Sequence, residues 1–280
     1  MKQDKKYKKQ IEFSELDHIA CNIRGKILDM NYRAKVAHLG SALSAVDILV
    51  TLYWKILKIS PKNPKDIDRD RFILSKGHAA MALYAVLAYK GFIPEEMLDT
   101  FGKPGTLLAE HPDSKIQGVE IATGSLGHGL SVGIGMALAG AIKQKNYRVF
   151  VLLSDGECNE GAVWEAAMFA PAHKLDNVAA IIDFNKWQAT GRSTEIMALE
   201  PLIAKWKAFG WNTYEIDGHD IGQIYSVLNK IPDGSGKPVA IIAHTVKGKG
   251  VSFMEDNNNW HYRVPNEEEL DKAKRELGLK

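Results

Sequence analysis

The chain has 280 residues, 45% hydrophobic and 25% charged, an ordinary globular composition that suits one large domain or two small ones. Its 36 basic and 34 acidic residues leave a formal net charge of +2, which gives no support to a nucleic-acid or membrane surface. Nothing approaches the roughly 20 apolar residues of a membrane span, and two cysteines, Cys21 and Cys158, are too few for a disulfide framework and suit a reducing cytoplasm.

In chain order, MKQDKKYKKQ carries five lysines and no apolar h-region, so the start reads as a solvated tail over residues 1–14 rather than a signal peptide. Residues 12–36 read as a mostly polar helix. SAVDILVTLYWKIL, 44–57, reads as a buried helix capped by Ser44. RFILS (71–75) is a short strand, and 77–91 a helix closed by Gly91. A glycine- and alanine-rich helix is expected over 125–144, a strand over 147–154, a helix over 161–175 and a strand over 177–185. Then come a helix (201–210), a strand (212–217), a helix (220–231), a strand (238–246) and a charged helix (266–277). The runs VFVLL, VAAII and VAIIA are nearly all apolar, the mark of parallel strands covered on both faces. The expected fold is one doubly wound, mostly parallel α/β domain over 15–280, with no internal boundary.

Two strands end on chemistry-bearing residues. VFVLLS runs into Asp155-Gly156, and VAAIIDF runs into Asn185, thirty residues later, an interval that fits strand, crossover helix and strand. Both side chains then reach the carboxyl edge of the sheet, where open α/β sheets bind ligands. Their oxygens suit Mg²⁺, which takes few protein ligands and completes its octahedron with phosphate and water. Taken alone, the pair fits two polar loop residues that cap helices equally well.

A second feature tips the balance. TGSLGHG (123–129) opens a helix, and free N–H groups at such an N-terminus attract anions. Small residues along this helix also serve close packing, but a phosphate cradle added to a metal pair makes a diphosphate site. There is neither a G-x-x-x-x-G-K-[ST] loop nor a clean G-x-G-x-x-G after a strand. None of the nine histidines pairs as H-E-x-x-H. Four sit at element ends, His38 in AHLG, His78 in SKGHAA, His111 in EHPD and His261 in WHYR. That placement suits polyhydroxyl recognition and proton transfer near neutral pH.

SDGECNEG followed thirty residues later by FNKWQ resembles the thiamine diphosphate motif. AHLGSALSAVDIL, DRFILSKGHAAMALYA, EHPDSKIQGVEIATGSLGHGLSVGIGMALA and AHTVKGKGVSFMEDNNNWHYRVP resemble transketolase blocks in the same order, over about residues 15–270. The resemblance implies Mg²⁺ (with Ca²⁺ or Mn²⁺ as substitute ions) held by Asp155, the Asn185 side chain and the Trp187 carbonyl. It implies cofactor contacts from His78, Gly124, Ser125, Leu126, Gly156, Asn185 and His261. His38 and His111 line the substrate channel, with His78 and His261 completing a catalytic histidine set. Glu160 and Glu165 match acidic residues near a dimer contact between cofactor sites. Ser154, Phe184 and His128 depart from the usual motif residues, and Trp187 is bulkier than the usual aliphatic residue, narrowing the pocket.

A full transketolase continues through a second cofactor-binding domain and a third. The chain therefore resembles the first subunit of a split transketolase, completed by a C-terminal subunit in an α2β2 assembly and moving a two-carbon glycolaldehyde unit from a ketose to an aldose. The ketose is a sugar phosphate or another anionic sugar. The rival readings are the α subunit of a thiamine-dependent 2-oxoacid dehydrogenase or carboligase, and a non-catalytic cofactor-binding regulatory subunit.

Overall fold

The computed structural model describes residues 12–279. The lysine-rich stretch 1–11, which makes up most of the expected tail, lies outside the described residues. Helix α1 (Phe13–Ala34) starts on a capping box in which Glu12 and Glu15 each accept the other's backbone N–H. It ends on Lys35 in the left-handed conformation. Its buried stripe includes Leu16, Ala20, Ile23 and Ile27, the spacing of one helix face.

Helices α2 (Leu39–Ser44) and α3 (Val46–Thr51) run into a wide turn at Leu52–Ile56. Strand β1 (Arg71–Leu74), α4 (Ala80–Tyr89), α5 (His128–Ile142), β2 (Val149–Ser154) and α6 (Gly161–Ala172) follow. The rest is β3 (Val178–Phe184), α7 (Ser193–Ile196), α8 (Leu202–Ala208), β4 (Asn212–Asp217), α9 (Ile221–Leu228), β5 (Val239–His244) and α10 (Glu267–Glu276).

The five strands pair in parallel in the order β1-β2-β3-β5-β4. The continuous apolar runs are explained by burial on two sides. Phe150, Leu152, Ile181 and Ile241 face the layer that carries Ile23 of α1, Ile48 of α3, Leu83 of α4 and Ile224 of α9. Val149, Val151, Leu153, Ile182 and Ile242 face Leu130 and Ile134 of α5, Val163 of α6 and Trp206 of α8. Each such side chain taken fully from water contributes about 1.5–3 kcal/mol, so the three central strands anchor the domain. β4 lies at the edge, where only Ile216 is buried.

Three expected boundaries shift. Ser44 does not cap a helix. The helical run begins at Leu39, and the buried Ser44 hydroxyl donates instead to Asp183 Oδ2 at 2.7 Å. The helix expected from 125 begins at His128, because Glu157 Oε1 holds the Gly127 N–H at 2.8 Å and keeps 124–127 as a turn. The helix expected from 77 opens with a 3-10 turn, Gly77–Ala79.

At two positions α5 lies so close to the sheet that only glycine fits. A Cβ on Gly129 would sit 2.2 Å from Ser75 Oγ, and one on Gly133 would sit 2.5 Å from Val151 Cγ2. The small residues of α5 therefore serve packing on the sheet at these positions, while a Cβ on Gly135 would meet nothing within 4 Å.

Candidate functional site

β2 and β3 are paired neighbours with Ser154 opposite Asp183. The residues just beyond them, Asp155 and Asn185, arrive together at the carboxyl edge of the sheet. Asp155 is fully buried. Its Oδ1 accepts from Gly156 N at 2.8 Å, and its Oδ2 accepts from Lys186 N and Ser193 Oγ, each at 2.8 Å. Burial, with the Asp183 charge nearby, pushes its carboxyl up to about 6 against those hydrogen bonds. Asn185 Oδ1 accepts from Trp187 N at 3.0 Å.

A carboxylate offers roughly four acceptor positions and an amide oxygen two, so both groups keep capacity for a hard cation. Among the described residues no three His, Cys, Asp or Glu side chains converge on a metal-sized point. A cation at this edge therefore needs further oxygens from a ligand, as Mg²⁺ takes from phosphate. The donor set fits that ion.

Above the strand ends lies a cavity of about 380 Å³, lined among others by His38, His78, His111, Gly124, Asn185 and His261. The His38 ring is 5.3 Å from His78, 6.2 Å from His111 and 5.0 Å from His261. His38 N–H also donates to the His261 carbonyl at 2.6 Å, so two segments far apart in sequence meet here. Burial and the neighbouring charges push His38 down to about 4 and His261 down to about 3, and hold His78 well below its usual value. These three imidazoles are neutral at neutral pH, weak as bases, and suited to hydrogen bonding.

Gly124 has φ +151, and a Cβ there would sit 3.0 Å from His111 Cδ2, so glycine alone fits that turn. Gly124 and Leu126 line the cavity, and Ser125 is exposed in the same turn. Glu160 stands on the cavity rim beside Gly156. Glu165 lies apart, in a groove between α5 and α6 with Ser131, Leu138 and Phe169. Trp187 lines the cavity, and its indole N–H donates outward to Asp256 Oδ1 at 2.7 Å.

Sequence reasoning passes over a buried charge cluster beneath this cavity. Lys76 and Asp183 are both fully buried and form an ion pair, with Ser44 and Thr245 hydroxyls also donating to Asp183. Lys76 Nζ reaches the Ser41 carbonyl at 3.0 Å as well. Lys247 Nζ contacts Asn258 Oδ1 at 2.7 Å and His261 Nδ1 at 2.9 Å. Burial, then the Lys76 charge, lowers Lys247 to about 7. Glu157 takes hydrogen bonds from Ser75 Oγ, Gly127 N and Ser154 N, tying the glycine turn to two strand ends. A usable signal is present in VAAIIDF, because an aspartate inside an apolar strand demands a buried partner.

The sequence profile of the family described as "Transketolase, thiamine diphosphate binding domain" matches residues 17–280. The chain belongs to this family. Among transketolase relatives it is 44% identical to one of the subunits of apulose-4-phosphate transketolase from Phocaeicola vulgatus over 254 residues, 91% of this chain and 90% of that one. It is also 44% identical to the 6-deoxy-6-sulfo-D-fructose transketolase subunit SqwG of a Clostridium species over 264 residues, 94% and 96% of the two chains. Transketolase from Campylobacter jejuni superposes with a TM-score of 0.91 at 32% identity, covering 96% of this chain but 44% of that one. The chain thus spans under half of a full-length transketolase and nearly all of two transketolase subunits. Among the described residues no helix is long and apolar enough to cross a membrane.

Proposed function

We propose that this chain is the cofactor-diphosphate-binding subunit of a two-polypeptide transketolase, a cytoplasmic enzyme that moves a two-carbon glycolaldehyde unit from an anionic ketose to an aldose. The observation that carries this reading is the gathering of four histidines and Asn185 around one cavity at the carboxyl edge of a parallel sheet, with the buried Asp155 at the neighbouring strand end. The near end-to-end match to subunits of split transketolases supports the two-chain arrangement, and an α2β2 assembly follows the common rule of symmetric pairing.

Asp155, the Asn185 amide oxygen and the Trp187 carbonyl would hold Mg²⁺, with Gly156 and the Gly124-Ser125-Leu126 turn against the diphosphate. Thiamine diphosphate supplies the nucleophilic carbon that breaks and remakes the carbon–carbon bond. The chain's own residues do the rest. The Lys247 ammonium, donating to His261 Nδ1, leaves the imidazole proton on Nε2. His261 is thereby set to donate a hydrogen bond from Nε2 to a sugar oxygen. His38 and His78, held neutral by burial, are able to accept hydrogen bonds from sugar hydroxyls and so hold them in place. His111 is exposed and lines the cavity, and we assign Glu160 on its rim and Glu165 in the groove between α5 and α6 to subunit contact.

The test is to assay glycolaldehyde transfer with Mg²⁺ and thiamine diphosphate, using this chain alone, its candidate partner alone and the mixture. Activity that appears on mixing and saturates near one partner per chain supports the reading. Equal turnover by the isolated chain, or decarboxylation of a 2-oxoacid in its place, overturns it.

A further inference from the structure

The loop after β3 and the loop after β5 form facing walls of the cavity. Trp187, Gln188, Ala189 and Thr190 come from the first, and His261 and Tyr262 from the second. The first loop is rooted at both ends in one carboxylate, since Asp155 Oδ2 accepts from Lys186 N and from Ser193 Oγ. It folds back on itself through Gln188 N to Gly191 O at 2.9 Å and Ser193 N to Lys186 O at 3.1 Å. Beside that root it is tied across to the second loop. Arg192 meets Asp256 through two bonds, Nη1 to Oδ1 at 2.6 Å and Nη2 to Oδ2 at 2.7 Å.

Asp256 Oδ1 also accepts the Trp187 indole N–H at 2.7 Å, and the Arg192 guanidinium lies over the Trp187 ring at 3.8 Å. Two groups thus fix one indole: a carboxylate at its N–H and a cation on its face. Asn258 Nδ2 adds a strut to the Ala189 carbonyl at 3.1 Å. Lys186 and Asp256, one in each loop, both adopt positive φ, at +70° and +54°. Such a backbone persists where its surroundings hold it.

Stability does not explain this arrangement. The Arg192 and Asp256 side chains are 32% and 56% exposed, and pairs so placed add little to folding. A bidentate pair does fix geometry, and a guanidinium stacked on a ring fixes it further. We propose that Arg192 and Asp256 are positioning residues that clamp the Trp187 indole as a fixed wall of the cavity, and so limit the size of the sugar it admits. The proposal rests on reading the cavity as the sugar and cofactor site.

Asp256→Asn keeps the size and the left-handed backbone preference of the residue but loses the carboxylate fork. Arg192→Lys keeps the charge but loses the fork and the planar stack. Hydrogen–deuterium exchange on the full chain, without cofactor, is expected to rise in both variants over 186–193 and 256–262 together. In the chain mixed with its partner, the ratio of kcat/KM for a five-carbon over a three-carbon aldose is expected to rise about fivefold, the worth of one exposed ion pair. The double variant is expected to match either single one, because both break one device.

Exchange that rises in only one loop, an unchanged acceptor ratio, or additive effects in the double variant each overturn the clamp. A wild-type mixture that binds no thiamine diphosphate overturns the underlying reading instead. The exchange measurement still judges the clamp in that case.

Discussion

Lys247 Nζ lies 2.9 Å from His261 Nδ1, so a buried lysine, rather than a carboxylate, orients this imidazole. The arrangement keeps His261 neutral, because burial and the Lys247 charge both disfavour imidazolium, and its value falls to about 3. Replacing Lys247 with methionine removes one of these two causes. The His261 titration followed by NMR is expected to move upward toward the ordinary histidine range. Turnover of the assembled enzyme is expected to fall at least about tenfold, or about 1.4 kcal/mol in the barrier. An unmoved titration would show that Lys247 does not govern His261.

His38 and His261 sit at about 4 and about 3 when folded, below the ordinary value of 6.5, and His78 is lowered too. Between those values the unfolded chain binds more protons, so stability falls as pH drops from about 6.5 toward 4. Asp155, raised to about 6, acts in the opposite sense over part of that window, as do Glu120 and Glu157, which burial also raises, so the histidine share is read from a variant that lacks it. Urea midpoints measured from pH 7.5 to 4.5 are expected to decline. The decline is expected to be shallower in a His38→Gln, His78→Gln double variant.

Asp155→Ala is expected to abolish Mg²⁺-dependent binding of thiamine diphosphate. The substitution removes the carboxylate at the strand-end pair and leaves Lys186 N and Ser193 Oγ without their acceptor. Calorimetric titration of the assembled enzyme with and without Mg²⁺ checks this, and unchanged affinity and metal dependence would remove Asp155 from the metal site.

Lys76→Met is expected to cost about 3–5 kcal/mol in urea unfolding, the usual loss when one member of a buried ion pair is removed. The cause is specific. Asp183 is fully buried, and without Lys76 it keeps two hydroxyl donors and no cation. A double variant that also carries Asp183→Asn is expected to recover part of the loss, since the stranded charge is then gone.

The parallel sheet is legible in VFVLL, VAAII and VAIIA because two-sided burial leaves no polar face to interrupt them. Asp155 and Asn185 are legible because each follows such a run directly. Partners distant in sequence hide the rest. Ser44 looks like a helix cap, but its acceptor, Asp183, lies 139 residues away. SLGHG looks helical from its serine, but Glu157 fixes Gly127 from thirty residues downstream and delays the helix. Lys247 stands in a lysine- and glycine-rich stretch with nothing local to single it out, and only the fold brings it to His261.

The glycine contacts of α5 have a mechanical consequence. With Gly129 and Gly133 pressed against Ser75 and Val151, the helix has no slack in which to tilt or slide over the sheet. The turn at 124–127 and the ends of β1 and β2 therefore behave as one stiff floor. Any change in the shape of the cavity therefore requires the Arg192–Asp256 tie between the walls at 186–193 and 256–262 to open first.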